Sequence, residues 1–292
     1  MLVFAKIKSV QQKIESLKKG TSVGFVPTMG ALHQGHLSLI ERAKKENDIV
    51  VVSIFVNPTQ FDKQEDLINY PKTINKDLSL LKSVFCDLVF APAAGEIYAN
   101  DIKSKVFDFD GLEFKMEGKF RVGHFNGVGT IVKRLFEIVK PTKSYFGEKD
   151  FQQLQIIRNM VKKHHIPVKI VGCDIYREED GLAMSSRNTR LTNEHRKAAP
   201  FIYKTLKEAK RKFGIKNAIE VVDWVENEFK KQALLELEYF SSNAKDIWDN
   251  SVTGDMYYVY NVHTGNIDNV YQVTGTPGEL QPGDSEEDIL ES

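Results

Sequence analysis

The stretch IVVVSIFV, residues 49–56, decides the fold class of this chain. It is far shorter than the roughly 20 apolar residues that a helix needs to cross a membrane. A nearly continuous apolar run of this length, rich in β-branched side chains, instead predicts a strand with both faces buried. Such strands belong to parallel sheets that carry helices on each side, so the run predicts an α/β fold.

Strand and helix patterns alternate on both sides of this run. Further apolar stretches predict four more strands, at residues 22–27, 87–92, 143–147 and 167–172. Helical spacing of apolar residues occurs in five stretches: 7–20, with Gly20 as the expected stop, 35–47, 74–85, 129–139 and 150–165. This alternation predicts βαβ units and a parallel sheet.

The pattern changes near residue 176. Beyond it the spacing predicts two helices, with Pro200 interrupting the first, and two strands, at 192–214, 216–232, 234–240 and 255–262. We therefore expect a parallel-sheet domain, a smaller α+β domain and a tail, at 1–175, 176–273 and 274–292. The tail contains six acidic residues and no basic ones, a composition that predicts disorder.

Composition argues against several classes of protein. Forty basic and forty acidic side chains give zero net charge, so there is no overall positive field for nucleic acid. Cys86 and Cys173 lie far apart, which argues against a structural zinc site or disulfide framework and suits a reducing compartment. The apolar run at residues 1–5 is too short for a signal-peptide core. We expect a cytoplasmic protein without a membrane span.

The stretch PTMGALHQGH, residues 27–36, contains the first candidate site. Pro27 ends a predicted strand, and a turn leads into a helix near Gly35. Ligands of open α/β sheets bind beyond the carboxyl ends of strands, and helix amino termini attract phosphate. His33 and His36 are three residues apart, so they share one helical face. Three interpretations of the pair are chance surface residues, zinc ligands and partners of a phosphate. A zinc site would need a third ligand, and the sequence offers none nearby. The position of the histidines between a strand and a helix favours a phosphate-binding site.

Two amides follow the buried strand, in FVNPTQF at residues 55–61. Asn57 and Gln60 are placed at the same edge of the sheet as the histidines. Neutral amides there suit the carboxylate and hydroxyl groups of a small polar substrate. Asn-Pro is also a common turn dipeptide, so a purely structural role is the alternative.

Two later stretches offer cations to a nucleotide. In FGEKDFQQL, residues 146–154, Lys149 is a mobile cation, and Asp150 either caps the next helix or binds ribose. Only one of the adjacent glutamines that follow can face the site. In DGLAMSSRN, residues 180–188, two serines precede Arg187, whose guanidinium fork matches phosphate oxygens. Solvated turns are the alternative interpretation of both stretches.

Together these stretches resemble the pantothenate synthetases, ligases that join pantoate to β-alanine at the expense of ATP. The resemblance lies between residues 22 and 191, in PTMGALHQGH, VVSIFVNPTQF, RVGHFNGV, FGEKDFQQL and DGLAMSSRN. It implies a Rossmann-like domain with a smaller C-terminal lid, a homodimer, and Mg²⁺-ATP as a substrate. It also implies two steps: adenylation of pantoate with release of pyrophosphate, then attack of β-alanine on pantoyl adenylate with release of AMP.

The resemblance extends to individual residues. It implies catalytic roles for His33, His36, Lys149 and Arg187, and pantoate binding by Gln60 and Gln153, with Asn57 nearby. The ATP-binding residues that it implies are Met29, Gly30, Ala31, Leu32, His33, Gln34, Gly35, His36, Gly147, Glu148, Lys149, Asp150, Tyr176, Met184, Ser185, Ser186 and Arg187. Asp77 matches an acidic residue that can approach the magnesium, but no metal ligand is assigned. Val122 and Asn126 replace a proline and an arginine common in the family.

Physical reasoning refines the role of His36. Adenylation needs no proton from pantoate, whose carboxylate is already ionised, so His36 suits a hydrogen-bonding or cationic role at the phosphates. A nucleotidylyltransferase shares the HxGH pattern and is the nearest alternative, and a nucleotide-binding protein without activity is another. The sequence has no GxGxxG after the first of these strands and no Walker A motif, which argues against a dehydrogenase and a P-loop kinase.

Overall fold

The computed structural model describes residues 1–61, 64–99, 101–213 and 215–241, and the backbone of residues 257–264 and 267–274. These residues form two compact units. The first comprises Met1–Glu148, Gln152–Tyr176 and Met184–Ser186, and the second comprises Lys149–Phe151, Arg177–Ala183 and the chain from Arg187. The predicted tail lies outside the described residues, apart from Thr274, which ends a strand.

Within the described part of the first unit, six strands form a single sheet. They are β1 (Leu2–Phe4), β2 (Val23–Thr28), β3 (Ile49–Ile54), β4 (Leu88–Phe90), β5 (Lys143–Gly147) and β6 (Lys169–Cys173). All neighbouring pairs are parallel, in the order β1-β4-β3-β2-β5-β6, which confirms the predicted parallel sheet. Since β3 and β5 flank β2 on opposite sides, the winding direction reverses beside β2, where sheets of this kind bind ligands.

Helices connect these strands. In the described residues they are α1 (Ile7–Glu15), α2 (Gln34–Glu46), α3 (Gln64–Ile68), α4 (Ile74–Ser83), α5 (Ala94–Tyr98), α6 (Glu117–Phe120), α7 (His124–Val139) and α8 (Phe151–Lys163). The valines at 50–52 in β3 are fully buried. Val51 packs in one cluster with Leu135 of α7, whereas its two neighbours pack with Ile40 of α2 and Leu81 of α4. The predicted strand with both faces buried is confirmed for Ile49–Ile54, and it ends two residues earlier than the apolar run.

One unpredicted strand and two helix boundaries illustrate how the structure differs from the prediction. The short edge strand β1, which pairs with β4, was not predicted, because three residues carry too little pattern. Helix α1 ends at Glu15, so Gly20 is not its stop; Leu17 packs on the core from the following turn and prolongs the apolar spacing. Helix α7 begins five residues earlier than predicted, at His124, because its glycines hide a helical start.

The second unit contains helices followed by an antiparallel sheet. Its described elements are α9 (Asn193–Ala198), α10 (Pro200–Phe213), α11 (Ala218–Lys230), β7 (Glu236–Ser241), β8 (Tyr257–Thr264) and β9 (Ile267–Thr274). Pro200 is the first residue of α10, so the predicted interruption is confirmed. Strand β8 lies within two residues of its prediction, and β9 was not predicted. In the described residues, no helix has the length and apolarity to span a membrane.

Candidate active site

The turn after β2 is held by a buried carboxylate. Gly30 and Ala31 both have left-handed backbone, with φ of 82° and 50°, and a side chain at Gly30 would be strained there. Asp77 of α4 accepts hydrogen bonds from the backbone N–H groups of Ala31 (3.1 Å) and Leu32 (2.9 Å) and from the hydroxyl of Thr73 (3.1 Å). Only 1% of Asp77 is exposed. Both of its carboxylate oxygens are therefore engaged in fixing the turn.

The two histidines of this turn lie at the amino terminus of α2. His33 is the N-cap residue, and its ring centroid is 4.0 Å from that of His36. The backbone N–H of His33 donates to Nδ1 of His36 over 3.3 Å. A neutral His36 consequently carries its proton on Nε2, where it is a hydrogen-bond donor. The amino terminus of α2 adds a positive potential beside the two rings.

Asn57 is enclosed by the protein after β3. It is 1% exposed, and its Oδ1 accepts from the backbone N–H of Thr59 (3.4 Å), which is the turn-forming role that the sequence left open. Its Nδ2 donates to Oε1 of Gln60 (3.1 Å) and to the carbonyl oxygen of Gly127 (3.2 Å). Gly127 permits this approach, since a Cβ there would lie 2.2 Å from the carbonyl oxygen of Thr59. Asn57 thus fixes Gln60 and the turn.

Gln60 connects the ends of β2 and β3. Its Nε2 donates to Sδ of Met29 over 3.0 Å, and Met29 opens the turn that contains the histidines. The backbone carbonyl oxygen of Gln60 accepts a hydrogen bond from Nδ1 of His124 over 2.7 Å. His124 is buried, and Arg121 lies 3.4 Å from its Nε2. The loop histidine and arginine of RVGHFNGV therefore support the position of Gln60.

The two residues of that loop that differ from the family pattern, Val122 and Asn126, have different surroundings. The Oδ1 atom of Asn126 accepts a hydrogen bond from the backbone N–H of Phe107 over 3.0 Å, so Asn126 ties α7 to a neighbouring segment. Val122 is 88% exposed.

The adjacent glutamines after β5 have different surroundings. Gln152 is 1% exposed; its Nε2 donates to the carbonyl oxygens of Leu112 (2.9 Å) and Lys115 (2.8 Å), and its Oε1 accepts from the N–H of Glu117 (3.0 Å). Gln152 therefore fixes a loop of the protein. Gln153, which the sequence assigns to pantoate, is only partly buried.

Lys149 and Asp150 form an ion pair of 3.2 Å in the 3₁₀ turn Glu148–Asp150, and both belong to the second unit. Gly147 and Glu148 belong to the first.

Residues of DGLAMSSRN are also divided between the units. In the first unit, the N–H of Met184 donates to the carbonyl oxygen of Tyr176 (2.9 Å), and the hydroxyls of Ser186 and Tyr70 are 3.4 Å apart. A Cβ at Gly35 would lie 3.5 Å from Cβ of Tyr176, so Tyr176 lies beside the start of α2. Met29–His36, Gln60 and Tyr176 are therefore gathered in one unit.

The second unit holds Arg187 next to an ion-pair cluster. Asn188 donates to Oε1 of Glu178 (3.0 Å) and to the carbonyl oxygen of Ala183 (3.1 Å). Arg196 forms ion pairs with Glu178 (2.6 Å) and Asp180 (2.5 Å). Burial raises the pKa of Asp180, but the contacts with Arg196 and with the N–H of Leu182 outweigh it and hold this pKa below its usual value. The turn that carries Arg187 is thus tied to this cluster through Asn188 and Glu178.

Comparison with known proteins identifies relatives of the whole chain. A family model described as Pantoate-beta-alanine ligase matches residues 2–270. A pantothenate synthetase of Christiangramia forsetii is 57% identical over 242 residues, which are 82% of this chain and 86% of that protein. One from Flavobacterium psychrophilum is 55% identical over the same shares of the two chains.

Solved structures give the same result. Pantothenate synthetase from Thermus thermophilus superposes with a TM-score of 0.86 at 37% identity, over 94% of this chain and 99% of the other. Pantoate-beta-alanine ligase from Francisella tularensis, complexed with beta-gamma ATP and beta-alanine, superposes with a TM-score of 0.79 at 35% identity, over 94% and 97% of the two chains.

Proposed function

The chain belongs to the pantoate–β-alanine ligase family, and from that premise we propose how the carboxyl edge of its parallel sheet carries out the reaction. The enzyme condenses pantoate with β-alanine, consumes ATP and proceeds through pantoyl adenylate. The contacts of the described residues support the following assignments.

The reaction has two displacements. First, a carboxylate oxygen of pantoate bonds to the α-phosphorus of ATP while the bond to the bridging oxygen breaks, and pyrophosphate leaves. Second, the amine nitrogen of β-alanine bonds to the acyl carbon, the bond to AMP breaks, and the nitrogen loses a proton. Negative charge develops on phosphate oxygens in the first step, so positioning and oriented hydrogen-bond donors are the main contributions of the protein.

The turn Met29–His36 carries the assignment of the ATP site. It combines the start of α2, the paired rings of His33 and His36, and a position beside β2 where the winding reverses. We assign the phosphates of ATP to this turn, with His36 as a neutral donor. Tyr176 lies beside it, and we assign it to the adenine through its backbone.

The remaining assignments follow the family motifs. We propose that Lys149 and Arg187 stabilise charge on the transferring phosphorus, since both are cations in 3₁₀ turns. We propose that Gln60 and Gln153 hold pantoate. The other residues proposed to line the ATP site are Gly147, Glu148, Asp150, Met184, Ser185 and Ser186.

Magnesium is proposed to enter as part of the substrate Mg²⁺-ATP. Within the described residues, no group of three or more His, Cys, Asp or Glu side chains is arranged to hold a metal ion. Asp77, the acidic residue matched to the family, already accepts three hydrogen bonds. Mg²⁺ is commonly held by substrate phosphates and water rather than by a dedicated protein cage. We therefore assign no step to a resident metal.

We further propose that residues 1–175 bind ATP and pantoate, that residues 176–273 form the lid, and that the enzyme is a cytoplasmic homodimer. The second unit, which takes in most of the chain from Arg177 onward, supports this division. The family resemblance supports the dimer. Light scattering separates a dimer from a single chain of 33.3 kDa.

A direct assay tests the function. Purified protein is incubated with Mg²⁺-ATP, D-pantoate and β-alanine, and AMP and pantothenate are quantified together. We expect equal amounts of the two products, and no AMP when pantoate is omitted. A double variant, His33→Ala with His36→Ala, should lose activity by a factor of about 10²–10³ while its circular dichroism is unchanged. A nucleotide-linked product, or AMP formed without pantoate, would contradict the ligase assignment.

A further inference from the structure

Tyr98, the last residue of α5, contacts the turn that follows β3. Its hydroxyl donates to Oδ1 of Asn57, 41 residues away in the sequence, and lies 3.1 Å from Oγ1 of Thr59. Its ring is tilted against Phe55, with the centroids 6.2 Å apart. Burial raises the pKa of Tyr98, so the hydroxyl retains its proton and remains a donor. Tyr98 lies outside the sequence motifs from which the site residues are predicted.

The backbone partners of Asn57 identify which atom of its side-chain amide is the oxygen and which is the nitrogen. The N–H of Thr59 identifies the atom that it contacts as Oδ1, and the carbonyl of Gly127 identifies the other as Nδ2. The hydroxyls of Tyr98 and Thr59 also contact Oδ1, and the second Nδ2 hydrogen goes to Oε1 of Gln60. Every polar atom of this buried side chain thus has a protein partner.

This arrangement makes Gln60 a hydrogen-bond donor. Since Oε1 accepts from Asn57, the Nε2 hydrogens point away from it, and Nε2 contacts the thioether of Met29 at 3.0 Å. A thioether is a weak acceptor, whereas a carboxylate oxygen is a strong one. A substrate oxygen that takes the place of this sulfur contact forms a stronger hydrogen bond with Nε2.

We propose that Tyr98 is a positioning residue for pantoate: through Asn57 it holds Gln60 with its amide nitrogen toward the turn Met29–His36, where it donates to an oxygen of the substrate. The inference rests on the proposed function, which assigns Gln60 to pantoate. Tyr98 and Asn57 act through Gln60 rather than by contact with the substrate. The edge after β3 accordingly selects a substrate with an acceptor oxygen at this point.

Replacing Tyr98 tests the inference without removing the ring. In Tyr98→Phe, Oδ1 of Asn57 loses one of its three donors and keeps the N–H and hydroxyl of Thr59. We expect the KM for pantoate to rise about 10-fold. The KM for ATP should stay within about twofold, because the turn that we assign to ATP is held separately by Asp77. Steady-state kinetics with each substrate varied in turn measures both.

A matched variant separates positioning from general loss of stability. Tyr145 is also buried, and its hydroxyl donates to Glu46 (3.0 Å) and accepts from Asn47 (2.6 Å), at the opposite end of α2 from the two histidines. Tyr145→Phe should lower the melting temperature and leave the KM for pantoate unchanged. Equal changes of KM in the two variants would overturn the inference.

A double variant tests the route through Gln60. In a Gln60→Ala background, Tyr98→Phe should change kcat/KM for pantoate by less than about twofold, since the side chain through which it acts is missing. A full, multiplicative effect would show that Tyr98 acts by another route. If Tyr98→Phe fails to fold, Gln60→Glu remains informative: it replaces the donor by an acceptor and should weaken pantoate binding about 100-fold.

The outcomes distinguish this inference from the function on which it rests. If the wild-type protein forms no AMP from pantoate, the ligase function fails. If the wild type is active while Tyr98→Phe has unaltered kinetics, or Gln60→Glu binds pantoate as well as the wild type, the function stands and the positioning role is wrong.

Discussion

At the scale of a residue, the tautomer of neutral His36 is set by its own helix terminus. Its Nδ1 accepts the backbone N–H of His33, so the neutral ring exposes Nε2–H as a donor. The rings of the two histidines are 4.0 Å apart, a spacing at which two positive charges repel. Both observations favour a neutral donor over an imidazolium at the phosphates of ATP.

This argument predicts the effect of two substitutions at His36. In His36→Gln, the amide nitrogen reaches close to the position of Nε2, so adenylation should remain within about 10-fold of the wild type. In His36→Ala, the donor is lost, and adenylation should fall about 10²–10³-fold. Single-turnover formation of pantoyl adenylate measures both. A cationic role would instead make the wild-type rate fall as the pH rises above about 6.5, the ordinary histidine pKa.

At the scale of an element, helix α4 holds the turn that we assign to ATP. Asp77 on its first turn is buried and accepts two backbone N–H groups of a segment that contains left-handed backbone. Such a segment continues neither the strand before it nor the helix after it, so its N–H groups need partners from elsewhere in the protein. A carboxylate from a distant helix satisfies them, which explains an acidic side chain next to the turn that we assign to ATP.

Replacing this carboxylate by an amide should loosen the turn. In Asp77→Asn, an NH₂ group faces an N–H or O–H donor, and we expect a loss of about 2 kcal/mol of stability and a higher KM for ATP. Asp87→Asn is the control: Asp87 accepts from the N–H of Val50 (2.7 Å) and from Lys44 (2.8 Å), away from the turn. It should lower the urea midpoint without altering the KM. Unchanged KM in both variants would contradict the role of Asp77.

At the scale of the whole molecule, an ion cluster joins α2 to β5. Glu46 is bonded to Arg42 (3.0 Å), Lys143 (3.2 Å) and Tyr145 (3.0 Å), and these bonds, led by that of Arg42, lower its pKa from 4.5 to about 2. A carboxylate whose folded pKa is depressed stabilises the protein above its unfolded pKa. That stabilisation is lost as the pH falls through the folded pKa.

Acid unfolding tests this cluster. Between about pH 5 and pH 2, the wild type should lose about 1 kcal/mol more unfolding free energy than Glu46→Gln, a modest figure because solvent screens a partly exposed ion pair. Urea titrations at several pH values in this range measure the difference. Equal losses of unfolding free energy in the wild type and Glu46→Gln would show that Glu46 does not cause the acid sensitivity.

Prediction from sequence succeeded where the signal is local. The apolar run at 49–56, Pro200 at a helix start and the alternation of strands and helices all express contacts within a few residues or a burial pattern along one element. It failed for β1, where three residues show no period, and for β9, whose alternation is interrupted by polar residues.

The sequence by itself determined the α/β class and the residue types at the carboxyl edge of the sheet, where it predicts the site. The tertiary structure decided which residues meet: Asn57 and Tyr98 lie apart in the chain and are joined by one hydrogen bond. It also assigned Gln152 to a loop of the protein rather than to the site. The physical reason is that periodicity records which face of an element is buried, whereas a hydrogen-bond partner depends on distances that only the folded chain defines.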